Sequence, residues 1–493
     1  MLSIFEVDEY AQYEHAVRMA GGGGTFADGL RKFVAYQHYH YGYPFYLLSG
    51  LSLLPLRLAA GGQWAEQTQL IVLILRQFVS VLPNLISIWL LTYTATEFRS
   101  RVRTIVVFTL LLLLPGLLGN SLWWHPDGAG LLLISLVFFF LRLDRFKFGR
   151  FFWLSAIAAG LALGVKFLGA LFVLVIPTYL ILGTQMATQS LKQATLRAIG
   201  FVALMLATFV VSNPVLLFAA ERGEFILRQQ IILREASEGI FVSQPDFFQD
   251  GRLPTWLTEN FGTGLFLLLL AISLIIGLYK KDTRTQALLL TAWIFPNLAA
   301  VLRASSFRTH YWLPLMMPVI TALVFVLPER LNHLARRPLA ARKLLQWAAL
   351  ALLLVQAGLF LRQDVRQYTH TLQREDTSPS LQFYRSVQPM LAGEAPVVVY
   401  RDWKVYFPNQ AGISVFMDWD LASHDMLNSE QPNVLLLERE NVEAYGAADY
   451  LDSAPDPDRL RGMHLFYRGA LLDEIPGYEL VYEDGFGLMF VRQ

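Results

Sequence analysis

The chain has 493 residues, of which 55% are hydrophobic and only 16% charged, and its mean hydropathy is +0.42. About a quarter of the residues of a soluble globular protein are charged, so this composition excludes an ordinary soluble chain and predicts an integral membrane protein. The formal net charge of +1 argues against nucleic acid as a partner, and the absence of cysteine excludes disulfides, thiolate metal sites and a cysteine nucleophile.

Residues 1–76 are predicted to form an outer loop with helices in the membrane interface. Residues 41–60 are apolar and nearly long enough to span, but two prolines and several tyrosines favour an interfacial helix. If this segment were a span, residues 1–40 would lie on the same side of the membrane as the arginine-rich connections. Residues 1–5 are typical of the last turn of a span whose beginning is missing, and an amino terminus that is naturally outside is the alternative.

Ten apolar stretches are candidate spans, because a helix of about 20 apolar residues crosses the hydrocarbon core. They are 77–95, 104–122, 128–142, 151–165, 167–183, 198–218, 260–279, 285–302, 311–327 and 344–361. The pair around 151–183 could instead be one long helix broken at its glycines. The sequence therefore predicts an all-α polytopic membrane domain, residues 1–362, with about ten or eleven spans.

Lys and Arg are concentrated in alternate connections between these stretches, which fixes one orientation, because cytoplasmic loops carry the excess of basic residues. The basic connections contain Arg99, Arg101 and Arg103; Arg142, Arg145, Lys147 and Arg150; Lys192 and Arg197; Lys280, Lys281 and Arg284; and Arg330, Arg336, Arg337, Arg342 and Lys343. The predicted outer segments are 1–76, 123–127, 219–259, 303–310 and 362–493.

Residues 363–493 are predicted to form a small extracytoplasmic α/β domain. The segments 395–403, 414–420, 433–440 and 478–493 have the composition of short strands, and Asp484-Gly485 suits a hairpin turn. Nothing in this region resembles a phosphate loop or a nucleotide fingerprint. A structural or acceptor-recognising role is therefore favoured over a catalytic one.

Ionisable residues at the edge of a membrane domain are candidate functional groups, because burying a charge in a bilayer costs about 2.5–3.5 kcal/mol. Asp8 and Glu9 form an acidic pair that could supply a general base, or they could simply begin a helix. His125 and Asp127 lie in the WWHPDG turn at the predicted outer mouth of the bundle. Asp127 could also cap the next helix.

Cationic residues on the same predicted face point to an anionic ligand. Lys166 lies in an apolar run, where it could snorkel to the interface or meet a phosphate. Arg303 and Arg308, near His310 and Tyr311, lie in an outer loop against the positive-inside trend, and arginine pairs well with phosphate. Acidic groups can remove a proton and cationic groups can bind an anion. Both kinds on one side of the membrane suit the transfer of a group from a membrane-anchored phosphate onto an external acceptor.

With these features the chain resembles the GT-C superfamily of membrane glycosyltransferases, in the branch of protein O-mannosyltransferases and lipid A aminoarabinose transferases (glycosyltransferase family thirty-nine type). The resemblance covers roughly residues 5–330 and continues loosely into the tail. The segments that carry it are VDEYAQYEHA, YGYPFYLLSGL, LRQFVSVLPNLISIWLLTY leading to FRSRVR, LALGVKFLGALFVLVIP, SNPVLLF and FRTHYWLPLMMPVI.

The resemblance implies a polyprenyl-phosphate-linked sugar donor and a lipid, glycan or protein acceptor on the outer face of the plasma (inner) membrane. By position, Asp8 matches the family's catalytic base and Glu9 its acidic companion. Lys166 and Arg308 match cationic residues that meet the donor phosphate. The HPD triplet at 125–127 lies where many members carry an acidic residue after the third span.

The predicted reaction is an inverting transfer in which Asp8 deprotonates the acceptor hydroxyl and cationic side chains stabilise the departing phosphate. This mechanism requires no cofactor, although Asp8, Glu9 and Asp127 could hold Mg²⁺ or Mn²⁺. A transporter or lipid flippase is the main alternative, and it would be indicated by internal repeats and by ionisable groups near the midplane. A protein that only binds the lipid-linked sugar is a third possibility.

Overall fold

The computed structural model describes residues 7–186, 188–241, 251–303, 308–329, 341–391, 397–408, 412–418 and 420–493. The chain divides into two compact units. The larger unit contains the described residues of Asp8–Leu233 and Pro245–Gln367, and the smaller unit contains those of Met1–Val7, Arg234–Gln244 and Tyr368–Gln493. The predicted end of a missing span, at residues 1–5, lies outside the described residues, as do residues 304–307 of one predicted outer loop.

The described residues of the larger unit are helical. Its helices are α1 (Val7–Gly21), α2 (Phe26–Val34), α3 (Tyr43–Ala60), α4 (Thr68–Leu75), α5 (Leu82–Thr96), α6 (Arg101–Leu112), α7 (Pro115–Ser121), α8 (Asp127–Asp144), α9 (Arg150–Lys166), α10 (Val175–Gln185), α11 (Leu191–Val211), α12 (Ala219–Glu238), α13 (Leu253–Phe261), α14 (Gly264–Tyr279), α15 (Lys281–Arg303), α16 (Thr309–Ile320) and α17 (Ala341–Leu372). A π-helical turn, Arg76–Val81, joins α4 to α5. Helices α1, α12 and α17 cross the division between the two units.

Six helical stretches of the described chain are long and apolar enough to cross a membrane, or eight if each of two bent pairs is one span. The six are Tyr43–Glu66, Thr68–Thr96, Leu168–Gln185, Leu191–Val211, Lys281–Arg303 and Gln346–Leu372. The bent pairs are α6 with α7, at 53°, and α13 with α14, at 76°. Leu114, held extended before Pro115, ends the first helix of one pair, and Gly262, with φ of +112°, separates the other.

The ten predicted spans all fall mainly on helices, and the polytopic all-helical domain is confirmed. Three of them, 128–142, 151–165 and 311–327, are helices that are shorter or carry more charge than the six long ones. Two separate helices form in 151–183, because Phe167, with φ of +53°, ends α9. Residues 41–60 form α3, whose length and composition suit a span as well as the interfacial helix that the sequence favoured.

Aromatic residues of the first 76 residues pack into a buried cluster with the turn between α7 and α8. Phe45, Tyr46 and Trp64 of this cluster are buried, and Phe45 stacks on Trp124 with ring centroids 5.4 Å apart. Trp124 Nε1 donates to Ser49 Oγ at 3.1 Å. Helix α3 therefore supports the WWHPDG turn directly.

A close backbone approach at Gly42 joins the start of α3 to the end of α9. The Gly42 N–H donates to the Val165 carbonyl at 3.1 Å, and a Cβ at position 42 would lie 1.5 Å from the Gly164 carbonyl oxygen. Only glycine fits here. This contact brings Tyr41 alongside Lys166.

We expect Gly42→Ala to destabilise the larger unit by about 1–3 kcal/mol, because the clash is with backbone that cannot rotate away. Thermal unfolding of the purified chain in detergent measures the effect. The matched control is Gly358→Ala in α17, where a Cβ would meet nothing within 4 Å. Equal melting temperatures for the two variants would contradict the close approach.

The smaller unit is built on one five-stranded sheet. Its strands are β1 (Val397–Arg401), β2 (Ile413–Phe416), β3 (Val434–Glu438), β4 (Tyr478–Glu483) and β5 (Gly487–Arg492), and their order is β2-β1-β3-β5-β4. Strands β1, β2 and β3 are parallel, and β5 is antiparallel to both β3 and β4. Helices α18 (Arg374–Thr377), α19 (Pro379–Val387), α20 (His424–Glu430), α21 (Arg439–Gly446), α22 (Tyr450–Ser453) and α23 (Pro457–Leu471) accompany the sheet.

The predicted small α/β domain is thus confirmed, with each predicted strand segment on a strand. Asp484 closes the predicted hairpin, because its Oδ1 accepts from the N–H groups of Phe486 and Gly487 at 2.7 and 2.9 Å. The smaller unit begins at Tyr368, within α17, and it includes residues 234–241 of the predicted 219–259 loop.

Asp402 is a fully buried carboxylate at the carboxyl end of β1. It accepts from the hydroxyl of Tyr467 at 2.5 Å, the hydroxyl of Tyr400 at 3.1 Å, the Glu438 N–H at 2.9 Å and Asn441 Nδ2 at 3.1 Å. Burial raises the pKa of the Asp402 carboxyl above its ordinary value, although these hydrogen bonds oppose the shift. The burial of this carboxyl group therefore makes the stability of the smaller unit depend on pH.

Because the folded unit binds this proton more tightly than the unfolded chain, its stability should be greatest below the ordinary carboxyl pKa and fall as pH rises through the raised one. We expect Asp402→Asn to flatten that dependence. Hydrogen exchange of β1 and β3 peptides in the full chain, corrected for intrinsic rates, measures it. Asp458→Asn, at an exposed position, is the control, and an unchanged pH dependence in Asp402→Asn would contradict the prediction.

Candidate functional site

Four helix ends of the larger unit bring ionisable side chains together. Asp8 is the second residue of α1, Asp127 the first of α8, Lys166 the last of α9 and His310 the second of α16. Carboxylates in a first turn and a cation in a last turn are favoured by the helix dipole. We call these residues, with Tyr41, His125 and Tyr311, the Asp127 cluster.

Asp127 is the centre of this cluster. Its Oδ1 accepts from Lys166 Nζ at 2.9 Å, and its Oδ2 contacts His125 Nδ1 and lies 3.9 Å from His310 Nδ1. The Asp127 side chain is only 5% exposed, and that of Lys166 is 19% exposed. A buried carboxylate needs a charged partner, and Lys166 supplies it.

His125 connects Asp127 to Asp8. Because its Nδ1 faces the Asp127 carboxylate, we assign the ring proton to Nδ1, which leaves Nε2 as an acceptor. Nε2 then accepts from the Tyr41 hydroxyl at 2.8 Å and lies 3.6 Å from Asp8 Oδ2. The imidazole also stacks on Trp123, with ring centroids 4.2 Å apart. Its orientation is thereby fixed from several sides.

Aromatic rings surround the Lys166 ammonium. Nζ lies 5.0 Å from the centre of the Tyr311 ring and 5.7 Å from that of Tyr41. The His310 ring is 4.4 Å from Tyr311 and 5.0 Å from His125. Cation–π contacts stabilise the ammonium in its partly buried position.

The neighbouring carboxylates Asp8 and Glu9 have different surroundings. The Asp8 side chain is 33% exposed, whereas that of Glu9 is fully buried. Glu9 accepts from Arg76 Nε and Nη2 at 2.7 and 2.6 Å and from the Trp124 N–H at 2.6 Å. The predicted role of Glu9 as acidic companion of the base stays a prediction, and its contacts indicate a different role.

Arg303 and Arg308 are both exposed, the first at the end of α15 and the second immediately before α16. Among the residues that the structure describes, no hydrogen bond or ion pair joins either arginine to the Asp127 cluster. The structure therefore gathers Asp8, His125 and Asp127 with Lys166, His310 and Tyr311, but not the two arginines. Their contact with a phosphate stays a prediction.

Within the described ranges, no group of three or more His, Asp or Glu side chains is arranged to hold a metal ion. The predicted set of Asp8, Glu9 and Asp127 is divided, because Glu9 pairs with Arg76 and Asp127 with Lys166. These carboxylates do not present a shared cradle of oxygen ligands for Mg²⁺ or Mn²⁺.

Three contributors to the site were not predicted from the sequence. Tyr41 lies in an aromatic segment, residues 36–46, with four other tyrosines, so nothing distinguished it. Arg76 was placed at the edge of a span, where arginine is common. Ser80, whose Oγ accepts from the His125 N–H at 3.3 Å, is a small polar residue in an apolar helix. Only the fold identifies their partners.

We expect Asp127→Asn to cost about 3–5 kcal/mol of stability, near the lower end because Lys166 is partly exposed. The substitution leaves the ammonium without its carboxylate, and Asp127→Asn/Lys166→Gln should recover most of the loss. Thermal unfolding in detergent measures both. As a control, Asp458→Asn breaks an exposed pair with Arg461 and should change little. No recovery in the double variant would show that Lys166 is not the partner that matters.

No protein-family model matches the sequence, and no curated protein matches it. Solved structures match this chain, among them the following two. ArnT from Cupriavidus metallidurans, in the apo state, matches over 97% of this chain and 92% of its own, with a TM-score of 0.52 and 15% identity. The Archaeoglobus fulgidus oligosaccharyltransferase, in complex with Zn and sulfate, matches over 84% of this chain and 61% of its own, with a TM-score of 0.43 and 11% identity.

The match to ArnT extends over nearly the whole of both chains, so it includes the helical unit and the small α/β unit alike. The chain shares the fold of ArnT, and the architecture expected from the sequence, a GT-C-like helical membrane domain with a small α/β domain, is confirmed.

Proposed function

We propose that this chain is a membrane glycosyltransferase that moves a sugar from a polyprenyl-phosphate donor to an acceptor hydroxyl with inversion, and that Asp8 is the general base. The observation that carries the proposal is the surroundings of Asp8. This carboxylate is accessible, and it lies 3.6 Å from a histidine whose other nitrogen is held by the buried Asp127. The GT-C fold supports the reaction class, and the cluster supports the chemistry.

Asp8 would take the proton of the acceptor hydroxyl. The acceptor oxygen forms its bond to the anomeric carbon while the bond from that carbon to the phosphate oxygen breaks, and the lipid phosphate leaves with the electron pair. A single displacement inverts the anomeric configuration and needs one base. His125 Nε2 faces the Asp8 carboxylate. Once Asp8 has taken the proton, its carboxyl group can donate a hydrogen bond to Nε2.

Lys166 would contact the donor phosphate. Its ammonium has three N–H donors, and Asp127 accepts from one of them. The remaining donors can reach a phosphate oxygen and stabilise the charge that develops as the phosphate leaves. The exposed Arg308, which precedes His310 by two residues, could add a second cation at the same mouth.

The acceptor is a lipid, glycan or protein on the outer face of the plasma (inner) membrane in this proposal. The basic connections between helices support that sidedness. The small α/β unit is then extracytoplasmic and suited to acceptor recognition. Mass spectrometry of the surface glycans of a deletion strain would identify the missing sugar and its acceptor together.

Asp8→Asn should lower transfer from a polyprenyl-phosphate sugar by at least about 10²-fold, because base catalysis typically contributes about 10²–10⁴-fold. Transfer is measured in membranes with expression matched by immunoblot. The control is Asp28→Asn, which changes an exposed aspartate in α2 and should leave transfer unchanged. Full activity of Asp8→Asn would remove Asp8 from the mechanism.

A transporter or lipid flippase is the second candidate, and the clustering of charges at helix ends rather than within helices favours the enzyme. The purified chain in liposomes separates the two. Formation of a covalent glycosylated product supports the transferase. Counterflow of the lipid-linked sugar without any product would make it a transporter.

A further inference from the structure

Glu9 and Arg76 form a buried two-point ion pair in the larger unit. Two guanidinium nitrogens donate to the two carboxylate oxygens of Glu9, at 2.7 and 2.6 Å, and the side chain of Arg76 is 9% exposed and that of Glu9 0%. The fork geometry of arginine makes such a pair directional, because both parts of the guanidinium must be in register with the carboxylate. The pair therefore fixes the orientation of α1 as well as its position.

The same Glu9 carboxylate also contacts the turn that contains His125. Glu9 Oε1 accepts from the Trp124 N–H at 2.6 Å. The residue before Glu9 is Asp8, and the residue after Trp124 is His125. One buried carboxylate thus connects the two backbone segments whose next side chains, Asp8 and His125, approach to 3.6 Å.

Arg76 belongs to the π-helical turn Arg76–Val81, which also contacts the WWHPDG turn. Ser80 Oγ accepts from the His125 N–H at 3.3 Å. A Cβ at Gly128 would lie 2.9 Å from Ser80 Cα and 3.0 Å from the Val79 carbonyl oxygen. Single π-helical turns within longer helices occur frequently at functional sites. Here the turn presents Arg76 to Glu9 and Ser80 to His125.

We propose that Glu9 and Arg76 are positioning residues that hold Asp8 in register with His125, and that Glu9 takes no part in proton transfer. The inference rests on the proposed function for its catalytic consequence. Glu9 is fully buried and both of its oxygens accept from charged or backbone donors, so it cannot reach an acceptor hydroxyl. Asp8 alone of the two is accessible.

The test compares single and double neutral substitutions. Glu9→Gln and Arg76→Gln each leave one buried charge without its partner, which misplaces the segments around it. A misplacement of about 1 Å can cost about 10²-fold in rate, so we expect each single variant to lose about that much transfer. Glu9→Gln/Arg76→Gln removes both charges and keeps a carbonyl oxygen for the Trp124 N–H, so it should recover to within about tenfold of the parent.

A double variant that stays as inactive as Glu9→Gln, although it is folded, would assign a chemical role to Glu9 and overturn the proposal. Full activity of the single variants would also overturn it. Arg76→Lys covers the case in which the single variants fail to fold, since it keeps the charge and loses the fork. It should lower kcat and leave the KM for the donor unchanged, and a change in KM alone would contradict a positioning role. Arg461→Gln, in an exposed pair, is the control.

Hydrogen exchange of the full chain separates this inference from the proposed function. Peptides from α1 and from residues 121–128 should exchange faster in the single variants and return to the parent rate in the double variant. If the parent itself transfers no sugar and this exchange pattern holds, the proposed function fails and the positioning pair remains. If the parent is active and these peptides exchange alike in all variants, the positioning pair is refuted alone.

Discussion

The structure of the candidate site depends on one buried charge, the carboxylate of Asp127. A carboxylate that is 5% exposed is costly unless it is paired, and Lys166 supplies the compensating charge from the last residue of α9. This pairing accounts for the arrangement around it. The close approach at Gly42 brings the first-loop segment to the end of α9, and the aromatic rings of Tyr41 and Tyr311 then surround the ammonium.

Sequence reasoning named most residues of the Asp127 cluster as candidates, because ionisable residues in apolar surroundings are conspicuous. Asp127 and Lys166 were found in that way, although the sequence could not show that they pair with each other. Arg76 was missed because its partner, Glu9, is 67 positions away and an arginine beside a span has a ready explanation in snorkelling. Pairings between distant segments are set by helix packing, which hydropathy does not encode.

For the fold, too, the elements could be predicted from the sequence but their arrangement could not. Hydropathy locates helices because a span needs a long apolar stretch, and the composition change after Arg362 separated the α/β domain. The bends were not predictable, since Leu114 and Gly262 act through backbone conformations that depend on neighbouring helices. The composition of the segments predicted the strands, but the sheet order β2-β1-β3-β5-β4 depends on crossovers that carry no local signal.

The contrast between Asp8 and Glu9 follows from helix geometry. Successive side chains of an α-helix point about 100° apart, so when one residue of an acidic pair faces the protein interior the next is directed elsewhere. Glu9 faces inward and meets Arg76, which leaves Asp8 accessible beside His125. Two acidic residues that are adjacent in sequence therefore have different surroundings in the folded chain. In the proposed mechanism the accessible member takes the proton of the acceptor, and the buried member, paired with Arg76, holds it in place.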